Sequence, residues 1–350
     1  MPPSSVFAAF FDLEKHQILS CELVEAGLIN ATYKVEIVDT ERKISPYILQ
    51  KINSTIFKDP EAIMTSMDRI ARHLVRQNYP DAVLLPIRNR NSDWLSYDEE
   101  HKPWRLLPYI PQSVCLEKIV SPLQAFESAK TFSRFYAHLW DIDLSGIKPA
   151  IPGFLDFSSR ILSFKQALFA ADETRKQIAG QEIAYVTAHL PLPEKFIALQ
   201  KEEKLPLRLV HGDPKFSNIL FDQTGSRGLC VIDLDTLMPG TLLYDFGDMV
   251  RSYTNNRAED DASENAVFNR EICEAVRAGF LFYLRDKLLP IEKDNMAYAA
   301  QVVVFIQAVR FLTDYLNGNI YYKITYPLQN LQRTRNQINL LKALEELERK

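Results

Sequence analysis

The sequence predicts an α+β protein built from two unequal parts. Three observations lead there. Roughly the first hundred residues alternate apolar and polar side chains; beyond about residue 120 the apolar residues recur at helical spacing; and one block, residues 207–246, returns to short strands within helical surroundings. The chain has 350 residues, 47% of them hydrophobic and 25% charged, which suffices for a large core and excludes a disordered chain.

In the first part, Tyr33, Val35 and Ile37 alternate with Lys34 and Glu36, so residues 31–38 read as a half-buried strand, and 47–52 as a second after Pro46. Asp59-Pro60 opens a helix, with Asp as cap and Pro in the first turn, and Ile63, Met67, Ile70 and Leu74 form its buried face. Segments 82–87, 94–97 and 104–110 read as three more strands. That gives five strands and one helix, with a crossover at 108–112 where Pro108 and Pro111 bracket the chain. Further on, Leu123, Phe126, Tyr136 and Leu139 belong to one or two long helices. Helices also fit 158–175, 179–189, 264–288, 292–316 and 328–348, while 207–210, 218–221 and 229–232 are short strands.

Lys plus Arg is 41 and Asp plus Glu 45, a net charge of −4, which argues against charge-driven nucleic-acid binding while leaving room for a local anion pocket. The cysteines, Cys21, Cys115, Cys230 and Cys273, form no C-x-x-C pair, so neither a zinc ribbon nor a disulfide framework is expected. No basic segment precedes the short apolar run near the N-terminus, and the most apolar later stretch, 302–306, is far shorter than a membrane span needs. A cytoplasmic location without membrane partners is the expectation.

The block 207–246 concentrates the chemistry. His211, Asp213, Asn218, Asp233 and Asp235 fall at strand ends or in the tight loops between them. If strands 218–221 and 229–232 pair as a hairpin, Asn218 and Asp233 lie side by side. An amide oxygen with a carboxylate is the hard-oxygen set that Mg²⁺ takes when substrate phosphates supply its other ligands. Asp213, free of the metal, can accept a proton from a substrate hydroxyl. His211 is more suited to stiffening the loop than to proton transfer.

His211-Gly-Asp-Pro-Lys-Phe-Ser-Asn218 followed by Ile232-Asp-Leu-Asp235 resembles the aminoglycoside phosphotransferase and choline kinase superfamily, and the likeness is greatest to bacterial N-acetylhexosamine 1-kinases. Gly27-Leu-Ile-Asn-Ala-Thr-Tyr33, Asn53-Ser-Thr-Ile-Phe57, Tyr244-Asp-Phe-Gly-Asp248, Arg310-Phe-Leu-Thr-Asp-Tyr-Leu316 and Asn330-Leu-Gln-Arg-Thr-Arg335 extend it outside the kinase motifs. The resemblance implies a protein-kinase-like fold: 1–108 as a nucleotide-binding lobe with a small antiparallel sheet, and 109–350 as a larger, mainly helical catalytic and substrate-binding lobe. It implies ATP and Mg²⁺ as cofactors and a small sugar as acceptor. Asp213 would orient or deprotonate the anomeric hydroxyl, and Asn218 and Asp233 would hold Mg²⁺. Thr236, Arg310 and Tyr321 would contact the sugar. Gly27, Asn30 and Thr32 would lie in or beside the phosphate loop, and Tyr109 and Ile110 would face the adenine.

One departure matters. The superfamily usually carries a lysine on the second long strand to grip the α and β phosphates, and Gln50 stands at that position, with Lys51 on the opposite face. Lys215, two residues after Asp213, is the replacement cation the sequence offers. Arg310 has a structural alternative, a bridge to Asp314 at i+4. Asp68 could pair with a phosphate-gripping cation or be a solvated helix charge. Two rival readings remain: another small-molecule kinase of the superfamily, for choline, ethanolamine, homoserine or an aminoglycoside; and a nucleotide-binding pseudokinase acting as a scaffold. Choline needs an aromatic cage, for which Trp140, Tyr244 and Tyr315 are available. An aminoglycoside needs an acidic pocket, whereas Glu259-Asp260-Asp261 reads as a solvated loop.

Overall fold

The computed structural model describes residues 1–24, 29–255, 257–263 and 268–348. Helix α1 (Ser4–Phe10) precedes strands β1 (His16–Val24), β2 (Ala31–Asp39) and β3 (Ile44–Lys51), helix α2 (Pro60–Arg76), and strands β4 (Ser96–Tyr97) and β5 (Pro103–Pro108). The strands form one antiparallel sheet in the order β1-β2-β3-β5-β4.

The sheet has the expected five strands, but not the expected five. Strand β1 was not foreseen and residues 82–87 are not a strand. Strand β1 is an edge strand whose alternation breaks at an irregularity between Ile18 and Ser20 and which leaves Leu19 and Leu23 exposed, so its period of two is blurred. In 82–87 Pro86 has no N–H for a ladder, and the segment contributes a single bridge, Ile87 to Leu106. The first part also holds two helices rather than one. Helix α1 buries Val6, Phe7 and Phe10 on the sheet face formed by Val35, Ile37, Leu49, Trp104 and Leu106. Helix α2 is capped by Asp59, which accepts from Ala62 N at 3.0 Å, and buries the foreseen Ile63, Met67, Ile70 and Leu74.

The chain leaves this sheet at Pro108 and enters another at β6 (Ser113–Cys115). There follow α3 (Pro122–His138), α4 (Phe157–Ala170), α5 (Glu173–Ile178), α6 (Gly180–Ala188) and α7 (Glu194–Lys201). The single helix expected over 158–175 is two, because Ala171 is extended and Asp172 caps a new start through Thr174 N. Strands β7 (Arg208–Val210), β8 (Ile219–Asp222), β9 (Gly228–Val231) and β10 (Met238–Gly240) build two small sheets, β10-β7 and β6-β8-β9.

The remaining helices are α8 (Leu242–Thr254), α9 (Arg270–Leu284), α10 (Pro290–Asp294), α11 (Met296–Leu316) and α12 (Gln329–Glu348). Helices α7 and α8 were not foreseen, and the expected start of α9 at 264–267 lies outside the described residues. Helix α11 packs against α4, α8 and α12. It is long and apolar enough to cross a membrane, which the run 302–306 did not suggest, but here it is the central core helix, with Val302, Val304, Phe305, Val309 and Leu312 buried.

Candidate active site

The β8–β9 hairpin does what the spacing of its residues asks. Ile219 pairs with Val231, and the N–H of Ile232 donates to the carbonyl of Asn218 at 2.9 Å, which brings Asn218 beside the residue preceding Asp233. Asn218 uses its amide N–H groups on Asp213, donating to the carbonyl at 2.8 Å and to Oδ2 at 3.2 Å. Its Oδ1 accepts no hydrogen bond among the described residues. Asp233 likewise makes no hydrogen bond or ion pair among them, and it takes a left-handed backbone conformation, φ 58° and ψ 53°.

Asp233 opens to solvent on one side. The protein enclosing it, followed by the carboxylates of Asp235 and Asp213, pushes its pKa up to about 7. A crowded carboxylate with no cation of its own, next to a free amide oxygen, fits a divalent cation that brings phosphate ligands with it. No closed cluster of three or more His, Cys, Asp or Glu competes for a metal among the described residues.

Asp213 is half-buried. Lys215 Nζ donates to its Oδ2 at 2.8 Å, the oxygen that Asn218 also reaches, and Oδ1 is left without a partner among the described residues. Burial works against both charges, but each is the other's counter-ion. Asp213 is therefore held below the ordinary carboxylate range and Lys215 above the ordinary amine. The pair presents an ionised carboxylate with one open lone-pair oxygen and a cation beside it.

A residue without an expected role fixes this loop. Asp245, in the first turn of α8 and fully buried, accepts from the N–H of His211 at 2.6 Å, the N–H of Gly212 at 3.0 Å and the Tyr136 hydroxyl at 2.6 Å. Gly212 has φ +80°, and a Cβ there would lie 3.0 Å from the Thr236 carbonyl, so this position takes no side chain without strain. His211 lies edge-on to Phe132; its Nε2–H donates to the Ile232 carbonyl at 2.9 Å and its Nδ1 faces the Asp213 N–H at 3.4 Å. Burial lowers its pKa. We therefore expect ¹⁵N NMR to find His211 neutral, as the Nε2–H tautomer, as the pH falls through about 6.5, the usual imidazole midpoint. An imidazolium signal at that pH would contradict this geometry.

Gly27 lies outside the described residues. Thr32, Gln50 and Arg105 form a row across β2, β3 and β5: Gln50 Nε2 donates to Thr32 Oγ1 at 2.9 Å, and Arg105 Nε donates to Gln50 Oε1 at 2.9 Å. Lys51 turns to the other face, where it meets Asp98 at 3.2 Å. Asn30 is buried against Asp235, Nδ2 to Oδ2 at 2.8 Å. Asp68 is engaged by Arg72 at 2.8 Å. At the crossover the Ile110 carbonyl accepts from Ser113 Oγ at 2.7 Å, and Lys34 lies 5.2 Å from the centre of the Tyr109 ring.

Next to Gly212, the Phe154 ring lies 3.6 Å from where a Cβ would be, and the Arg310 guanidinium is 5.4 Å from that ring's centre and 5.7 Å from that of Tyr322. Arg310 does not bridge to Asp314. That carboxylate accepts from the N–H groups of Ile320, Tyr321 and Tyr322 and from Asn330, so it shapes the turn after α11. Tyr321 is 58% exposed, and Tyr322 is the tyrosine that lies under Arg310. The Thr236 hydroxyl is buried without a partner.

Arg160, on α4, was not foreseen. Burial first, and then the nearby Arg310 charge, lowers its pKa, and its Nε is buried without a partner. Neither Arg160 nor Arg310 has a carboxylate within ion-pair distance among the described residues. The run Glu259-Asp260-Asp261, expected to be solvated, is instead tied down: Glu259 meets Arg333 at 3.2 Å and Arg251 at 3.9 Å, and Asp260 accepts from Gln329 at 2.9 Å.

Residues 20–281 match the family described as the phosphotransferase enzyme family, APH. The chain belongs to this family. Solved structures agree on the fold at low identity. An aminoglycoside phosphotransferase from Alicyclobacillus acidocaldarius is 14% identical, with a TM-score of 0.64 over 99% of this chain and 96% of that one. A Plasmodium vivax ethanolamine kinase is 16% identical, with a TM-score of 0.53 over 95% and 84%. An amicoumacin kinase determined with AMP-PNP and Ca²⁺ is 14% identical, with a TM-score of 0.54 over 97% and 93%. The phosphotransferase is thus α+β and kinase-like, as expected from its sequence.

Proposed function

We propose that this phosphotransferase is an ATP- and Mg²⁺-dependent kinase that phosphorylates the anomeric 1-hydroxyl of an N-acetylhexosamine. The reading assigns residues 1–108 to nucleotide binding and 109–350 to catalysis and acceptor binding. The observation that carries the acceptor class is the proximity of Arg160 and Arg310, both against Phe154, which borders Gly212, with neither having a carboxylate partner among the described residues. Two unneutralised guanidinium groups repel a cationic acceptor such as an aminoglycoside, ethanolamine or choline, and their N–H groups suit hydroxyl and amide oxygens. Phe154 and Tyr322 add flat apolar faces of the kind a sugar ring packs on. Two of the three rings a choline cage would draw on already face a cation of the protein itself: Trp140 lies 4.0 Å from Arg208 and Tyr315 5.0 Å from Arg175. The family-like segments outside the kinase motifs favour the N-acetyl sugar among neutral acceptors.

In this reading the acceptor hydroxyl lies against Asp213 Oδ1, the free lone-pair oxygen. As the hydroxyl oxygen attacks the γ-phosphorus and ADP leaves, its proton passes to Asp213. Lys215 is within reach of the transferred phosphoryl group and offsets its charge. Asn218 Oδ1 and Asp233 would hold Mg²⁺, which supplies charge neutralisation on the phosphates. Most of the rate comes from positioning, for which Asp245 and His211 hold the loop.

The test is ³¹P NMR with mass spectrometry on protein, Mg·ATP and a panel of N-acetylglucosamine, N-acetylgalactosamine, glucose, galactose, choline, ethanolamine, homoserine and kanamycin. We expect sugar 1-phosphate from the N-acetyl sugars and no product from choline, ethanolamine or kanamycin. Turnover of a cationic acceptor alone would discard the sugar assignment. ATP binding without turnover of any acceptor would favour a scaffold.

A further inference from the structure

Asp235 takes no part in the chemistry above, yet like Asp245 it is a buried carboxylate that accepts from three donors. Its side chain is 0% exposed and that of Arg105 2%. Arg105 grips it with both terminal nitrogens, Nη1 on Oδ1 and Nη2 on Oδ2, the latter at 2.9 Å. Asn30 Nδ2 adds a third donor at 2.8 Å, and Asn30 Oδ1 accepts from the Asn53 N–H at 3.0 Å. Through Gln50 the network continues to Thr32. Groups from β2, β3, β5 and the segments flanking them thus converge on one carboxylate, two residues after Asp233.

We propose that Arg105, acting through Asp235, is the positioning residue that seats the Asp233 loop against the N-terminal sheet in this chain. The proposal rests on the nucleotide-site reading of Asp233 given above.

Three features support it. Arg105 is too enclosed to be a phosphate ligand, so its charge serves the loop. A bidentate guanidinium–carboxylate pair fixes orientation as well as distance, which a lysine's point charge does not. Asp233 is held in a left-handed conformation that is costly for a residue with a side chain, and the one-turn 3₁₀ segment Leu234–Thr236 that follows is anchored by Asp235. Gln50 fits the same logic. Its oxygen accepts from Arg105 Nε and its amide donates to Thr32, whereas an ammonium there would face the guanidinium.

The experiment uses two variants of the full chain, Arg105→Lys, which keeps the charge and loses the fork, and the double variant Arg105→Met/Asp235→Leu, which removes both charges and leaves no unpaired buried ion. The first readout is hydrogen exchange of residues 232–237 in nucleotide-free protein. The second is MgADP affinity by calorimetry, set against the KM for the acceptor. We expect loop exchange at least tenfold faster in both variants, MgADP binding at least tenfold weaker, and an acceptor KM within about twofold of wild type. A folded double variant with wild-type loop exchange would overturn the proposal. The exchange readout needs neither nucleotide nor turnover. Wild-type protein that fails to bind MgADP, with the loop still loosened in the variants, would therefore count against the nucleotide reading and leave the positioning role supported.

Discussion

Replacing Asp213 with alanine should lower kcat by about 10² to 10⁴, the range associated with loss of a positioned general base. The KM for ATP should change little, because in the proposed reading Asp213 Oδ1 serves the acceptor while Asn218 and Asp233 would hold the metal. The variant should stay folded. Asp213 is partly exposed, and its pair with Lys215, itself 32% exposed, resembles surface pairs worth about 0–1 kcal/mol. The backbone of the loop is held from beneath by Asp245 and is untouched by the substitution. Alanine also removes the Oδ2 that Lys215 and Asn218 share, so Lys215 gains freedom toward the phosphates. A modest increase in slow ATP hydrolysis without acceptor is compatible with that change. The result that would sink the assignment is a variant keeping more than about a tenth of wild-type turnover.

What the sequence disclosed and what it hid follow from distance along the chain. Asp213, Asn218 and Asp233 sit within one strand–loop–strand unit, where spacing and alternation fix which residues end up together, so the hairpin and its polar cluster were legible. The pair Arg105 and Asp235 is separated by 130 positions. Arg105 read alone is an ordinary polar residue in a half-buried strand, and nothing local marks it as the cation opposite Gln50. Asp245 was hidden for a related reason. The segment 207–246 reads as strands and loops, whereas α8 begins at Leu242, and it is the first turn of that helix that aims the carboxylate at the 211–213 loop. Arg160 could be found only once the helices of the second part were packed. Among the strands, the failure at 82–87 had a visible cause in Pro86, and β1 was lost because an edge strand with a bulge does not keep strict alternation.

Asp245 should be the most stability-critical polar residue of the site. Alanine at 245 would leave two buried backbone N–H groups and the Tyr136 hydroxyl without an acceptor, and at about 1–3 kcal/mol for each unsatisfied group we expect a loss of about 3–5 kcal/mol, together with loss of activity through a disordered 211–213 loop. Asparagine is the sharper test. It keeps the shape and cannot ionise, but its NH₂ must face either the backbone donor on one side or the two donors on the other, so a net loss of about 1–3 kcal/mol follows. The difference should depend on pH. Burial, outweighing the three hydrogen bonds, raises the Asp245 pKa from 3.8 to about 7. Between those values the folded protein holds a proton that the unfolded chain has released, so wild-type stability falls as the pH rises through this window. The asparagine variant has no such proton. Urea denaturation at pH 5 and pH 8 should therefore show the advantage of wild type over Asp245→Asn shrinking toward the higher pH. An advantage that stays the same from pH 5 to pH 8 would mean that the three donors outweigh burial and that Asp245 is ionised throughout. In that case the loop would be held by a charged acceptor, and the activity of the asparagine variant would fall as far as that of alanine.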